Sequence, residues 1–200
     1  GRSALTANTT ASNNTAVGYN SLLSNTTGTQ NVAVGALTLD ANTTANNNTA
    51  VGYISLGANT TGAQNTAVGS ATLDANTTGA DNTSIGFASL GNNTTASNNT
   101  AVGSVALNET TTGGSNTAVG RSALEKNTTG SNNTAIGNLA LDAQTTVNNN
   151  TAIGHAAGNQ ITTGTSNTIV GGLASDAMTD ANNCVAIGTS AMTSNTRGNK

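Results

Sequence analysis

The chain has 200 residues and a mass of 19.4 kDa; 33 residues are Asn and 39 are Thr, while 6% are charged, 2% are aromatic, and Pro and Trp are absent. A charged fraction so far below the roughly 25% of ordinary domains argues against a typical globular enzyme, and a formal net charge of −3 argues against charge-driven disorder. Five basic residues and three aromatics make neither a basic stripe nor a stacking platform for nucleic acid, no apolar run approaches the ~18 residues of a membrane span, and one Cys forms no internal disulfide.

The chain opens on Gly1 rather than Met, which reads as a piece of a longer polypeptide. From there a 17-residue period runs without interruption. A Gly follows Val or Ile at Gly18, Gly35, Gly52, Gly69, Gly86, Gly103, Gly120, Gly137, Gly154, Gly171 and Gly188. With columns numbered from Asn14, these glycines are column 5. Column 1 is Asn from Asn14 to Asn167 and then Cys184; column 13 is Thr from Thr9 to Thr196. The consensus is N-T-A-V-G-x-x-A/S-L-x-x-N-T-T-G-x-x. A period of this length without one insertion means stacked coils whose edges are paired, since a one-residue slip would turn inward side chains outward.

Within each coil, the first predicted element is a strand over N-T-A-V-G, whose alternation suits period two; Asn, Thr and Gly are poor helix formers. The second is a short strand over columns 7 to 9, as in Leu37-Thr38-Leu39 or Val105-Ala106-Leu107. Two short strands and two turns account for the period. The expected fold is all-β: a flattened parallel β-solenoid, or β-roll, of about twelve coils, forming one repetitive segment over residues 1–200. Coils about 4.8 Å apart give a rod roughly 55–60 Å long. The expected core is Val17, Leu22, Val34, Leu39, Val51, Leu56, Val68, Leu73, Ile85, Leu90, Val102 and Leu107, filled from columns 2, 4, 7 and 9. The column-5 glycines are expected at the corner leaving the first strand. Stacked Asn and Thr are expected to form polar ladders along the rod. Columns 3 and 8, small and placed by this reading on the outer faces, are the expected contacts with other chains.

A weaker 34-residue period overlies the first. Column 6 carries Tyr19, Tyr53, Phe87, Arg121 and His155 on odd coils and Ala36, Ser70, Ser104, Asn138 and Gly172 on even ones. Column 10 carries Asp40, Asp74, Asp142 and Asp176 on even coils, which doubles the spacing between like charges. From about residue 150 the coils become atypical: column 9 changes from Leu to Gly158, Ser175 and Met192, and column 14 to Asp180 and Arg197.

The segment Asn183-Cys184-Val185-Ala186-Ile187-Gly188 is similar to the N-S-V-A-I-G signature of YadA-like head repeats in trimeric autotransporter adhesins. The N-T-A-V-G…L…N-T-T-G repeat resembles 17-residue repeats of bacterial and phage tail-fibre proteins. The resemblance covers essentially the whole chain; it departs in period, the YadA-like coil being typically shorter, and in Thr at the place of the first Val. It implies a left-handed, homotrimeric β-roll outside the cell or on a virion.

No catalytic constellation emerges. His155 is the sole His and reads as a surface spacer; Cys184 replaces a ladder Asn and reads as a small buried side chain. The Asp series lacks a calcium-binding repeat, so no metal or cofactor is expected. N-T-T triplets at Asn8, Asn25, Asn42, Asn59, Asn76, Asn93 and Asn127 match the glycosylation acceptor only formally. The leading expectation is a structural, non-enzymatic segment of an extracellular fibre, from a phage tail fibre or a bacterial adhesin. It would be a rigid spacer presenting a tip, outside this segment, that binds host-cell surface glycan. Two alternatives are an ice-binding solenoid using Asn and Thr of columns 12 and 14, and a glycan-binding shaft using Tyr19, Tyr53 and Phe87.

Overall fold

The computed structural model describes residues 1–193; Thr196 and Arg197 lie outside them. Each coil contributes one three-residue strand: β1 Thr15–Val17, β2 Val32–Val34, β3 Thr49–Val51, β4 Thr66–Val68, β5 Thr83–Ile85, β6 Thr100–Val102, β7 Thr117–Val119, β8 Thr134–Ile136, β9 Thr151–Ile153, β10 Thr168–Val170 and β11 Val185–Ile187. The strands form one parallel sheet in sequence order. Pairing keeps the 17-residue register, Ala16 opposite Ala33 and Ala33 opposite Ala50. The fold is therefore an all-β parallel solenoid, and β9 to β11 continue the stack through the atypical coils.

The inside and outside of the strand are the reverse of the expectation. Val17 is 55% exposed, and Val68 and Ile85 are also exposed; Val34, Val51 and Val102 are half-buried. Ala33, Ala50, Ala67 and Ala101 of column 3 are fully buried. The Leu half of the predicted core, Leu22 to Leu107, has no exposed surface. Alternation places columns 2 and 4 on one face and column 3 on the other, but coil thickness decides which face is inside. Column-9 leucines and inward Asn side chains already fill the coil, so only a methyl group fits beneath the strand. Column 8 is likewise buried at Ser21, Thr38, Ser55 and Ala106 rather than on an outer face.

Columns 7 to 9 are not a second strand. Columns 7 and 9 both sit at φ of +48° to +60°, including Leu37, Leu39 and Val105. The bends still pair coil to coil: the Leu37 N–H donates to the Tyr19 carbonyl at 2.9 Å, and the Leu39 N–H donates to the Ser55 carbonyl at 3.1 Å. One donor points to the preceding coil and the other to the following coil. The left-handed residues are uncommon for L side chains. They are held here by hydrogen bonds on both sides and by burial of the leucine.

The column-5 glycines occupy the corner after each strand at φ of +124° to +145°. A Cβ on Gly69 would collide with the carbonyl of Gly86 in the next coil. Both the angle and the close approach require glycine.

Asparagine closes each coil and joins it to the next. The Asn31 Nδ2 donates to the Ala45 carbonyl at 2.8 Å, spanning its own coil, while Asn31 Oδ1 accepts the Asn48 N–H at 2.9 Å. The backbone link recurs to its last member, where Asn167 Oδ1 accepts the Cys184 N–H at 3.0 Å. Column 12 forms a second ladder, with Asn42 Nδ2 donating to Asn25 Oδ1 at 2.8 Å and Asn76 Nδ2 to Asn59 Oδ1 at 2.9 Å. Column-13 hydroxyls, such as Thr60 Oγ1, donate to the next Thr carbonyl at 3.0 Å. Only a side chain carrying donor and acceptor on one short stem makes both Asn links at once.

The atypical coils are a compensated exchange of volume. Gly158 replaces the core leucine, and its missing side chain is covered by Ile161, Ile169 and Leu141, whose methyl carbons lie 2.9 to 3.1 Å from where a Cβ would stand. Ile161 occupies the column-12 Asn position and Ile169 the column-3 Ala position; both are fully buried, as is Met178. The apolar volume lost from one column returns from its neighbours.

Candidate functional surfaces

The inward columns are committed to structure, so functional chemistry belongs to the outward ones. The sheet face presents Thr of column 2 beside Val or Ile of column 4. In column 4, Val17, Val68, Ile85, Ile136, Ile153 and Ile187 are exposed, and Val34, Val51, Val102, Val119 and Val170 between them are half-buried; Val185, in column 2, is exposed as well. Successive β-branched residues stand one coil apart, about 4.8 Å, making a continuous apolar stripe flanked by threonines. The sequence expectation put chain contacts at columns 3 and 8; both columns are buried within the chain and are not available for such contacts. The clue was available in column 3, whose near-uniform Ala marks a position too confined for a larger side chain.

Beyond the corner glycine lies column 6. Tyr19, Tyr53 and Phe87 are 51%, 54% and 60% exposed, and Arg121 and His155 on the following odd coils are also exposed. The five belong to one column of a stack kept in register from β1 to β9.

Column 10 places Asp40 and Asp74 half-buried. Burial raises both carboxyls above their ordinary value of 3.8, partly offset by hydrogen bonds from the Asp40, Ala41, Asp74 and Ala75 backbone. Asp142 is paired with Lys126 at 3.1 Å. Among the described residues no group of three or more His, Cys, Asp and Glu side chains is placed to hold a metal ion.

Asn25, Asn42, Asn59, Asn76, Asn93 and Asn127 are fully buried, and each Nδ2 donates to a carbonyl three residues on, as Asn25 does to Gly28 at 3.0 Å. In the folded rod these N-T-T sites cannot accept a glycan. The same burial dissolves the Asn-x-Thr surface expected from columns 12 and 14: the threonines, such as Thr44 and Thr61, remain exposed, and the asparagines face inward. Cys184 is buried, its Sγ 3.6 Å from the Asn182 carbonyl.

The ladder itself has local faults. Thr110 replaces Asn in column 12 and leaves Asn93 Oδ1 buried without a partner; Asn127 Oδ1 is likewise unpaired. Ser175, in the leucine column, buries an unpaired hydroxyl. These faults occur where the sequence departs from consensus. Comparison with known protein families, curated proteins and solved structures found no match for this chain.

Proposed function

We propose that this chain is a structural segment of an extracellular fibre or stalk, of a phage tail fibre or a bacterial surface adhesin, in which three copies run side by side as a rigid spacer. The supporting observation is the unbroken in-register stack of eleven strands. Each coil is tied to its neighbours by backbone pairing and Asn ladders, so bending the rod would break many bonds at once. A repeating surface suits a spacer, whereas selective recognition by a tip requires an irregular one.

The apolar stripe of column 4 supports the side-by-side arrangement. Each chain has such a stripe on its sheet face, and a three-fold axis parallel to the rods brings the three stripes together in a closed interface. Equilibrium sedimentation tests this reading. The expected mass is three times 19.4 kDa, and Ile85→Lys with Ile136→Lys should dissociate the assembly while leaving its β circular dichroism intact. A concentration-independent monomer with full β-structure would overturn the bundle.

A further inference from the structure

The odd-coil positions of column 6 share a property that residue class alone obscures. Tyr19, Tyr53, Phe87, Arg121 and His155 are apolar, polar and basic, yet all five end in a flat π system, and all five are exposed. Between them stand smaller non-aromatic residues, Ala36, Ser70, Ser104 and Asn138. The coils stack in register throughout, so the flat groups form one row, spaced by two coils, about 9.6 Å, and extending about 38 Å.

We infer that this row binds an extended β-(1→4)-linked glycan lying along the rod. Such a chain advances about 5 Å per sugar, close to the 4.8 Å rise of a coil. Each sugar is turned over relative to the last, so every second sugar offers the same face to the same side. The glycan and the protein thus share both a rise and a two-unit period. Sugars at alternate positions stack their C–H faces on Tyr19, Tyr53 and Phe87, as planar rings stack on aromatic platforms elsewhere. Arg121 continues the row with a guanidinium plane, a group that also stacks. The intervening residues are smaller than the platforms and leave room for the sugars between. This inference goes beyond the spacer reading and does not rest on it.

The period supplies the test. Titration calorimetry on the whole chain would use cello-oligosaccharides and chito-oligosaccharides of two to six sugars, with malto-oligosaccharides of equal length as curved controls. Three sugars reach two platforms and five reach three, so affinity should rise in steps at three and five, by roughly tenfold each. The cello and chito series distinguish a plain from an N-acetylated glycan. Tyr53→Ser combined with Ser70→Tyr keeps the composition but breaks the period, and should remove the steps with unchanged β circular dichroism. No binding by either β-linked series, equal binding of the curved controls, or binding indifferent to Tyr19→Ala, Tyr53→Ala and Phe87→Ala together would overturn the inference.

Discussion

At the residue scale, asparagine is the residue that holds this molecule together, and the faults in its ladders state how much. Thr110 is fully buried and donates to the Asn127 carbonyl at 3.0 Å, but it offers nothing to Asn93 Oδ1 above it. Thr110→Asn restores a donor to Asn93 and keeps an acceptor for the Asn127 Nδ2, which now donates to Thr110 Oγ1 at 3.4 Å. Satisfying a buried acceptor is worth about 1–2 kcal/mol, so the variant should unfold at a higher temperature in a calorimetric scan. Asp40 and Asp74 give a second prediction at this scale. Their folded values are raised, so the protonated forms are favoured in the fold. Their contribution is complete below the ordinary value of 3.8 and is lost as pH rises through the raised folded value. Asp40→Asn with Asp74→Asn should therefore raise the melting temperature at pH 7 and remove the part of the stability gain on acidification that these groups supply.

At the element scale, one strand and one pair of bends do the work that the sequence assigns to two strands. In both elements burial, rather than hydrophobicity, decides energetic weight. Leu73 is fully enclosed, whereas Val68, five residues earlier, is exposed. Leu73→Ala should cost about 2–5 kcal/mol by leaving a cavity. Val68→Ala should cost less, about 1 kcal/mol, in a dissociated chain, since Val68 is 37% exposed and its loss leaves no enclosed cavity. Chemical denaturation of both variants checks the inversion of the strand. Equal losses would restore Val68 to the core.

At the scale of the whole molecule, the rod is a one-dimensional array in which each coil meets only its neighbours, and its stability grows by coil and by interface. Removing residues 65–81 takes out one full period and rejoins Gln64 to Asn82 in register. That deletion should leave a cooperative β fold of proportionately lower ellipticity. Removing Ala75 alone should be far more damaging, because Asn76 would no longer meet Asn59 and Asn93, and the strand beyond would be drawn out of line with its neighbours. Thermal melts followed by circular dichroism separate the two cases.

The period, the parallel stack, the corner glycines and the buried leucines were legible because each rests on repetition or on a residue with few alternatives. The ladders were legible in outline, since identical polar residues in one column must meet one another. The sequence could not say which side of N-T-A-V-G faces inward, because Thr, Ala and Val are each compatible with either side and a period of two has no sign. Nor could it place Leu37 and Leu39 in left-handed bends, a conformation their local preferences oppose. Nor did it reveal that Gly158 is covered by Ile161 and Ile169, which lie three and eleven residues away along the chain. Those decisions belong to the closed coil: its interior has room for one leucine, one methyl group and the stapling amides, and everything larger is turned outward.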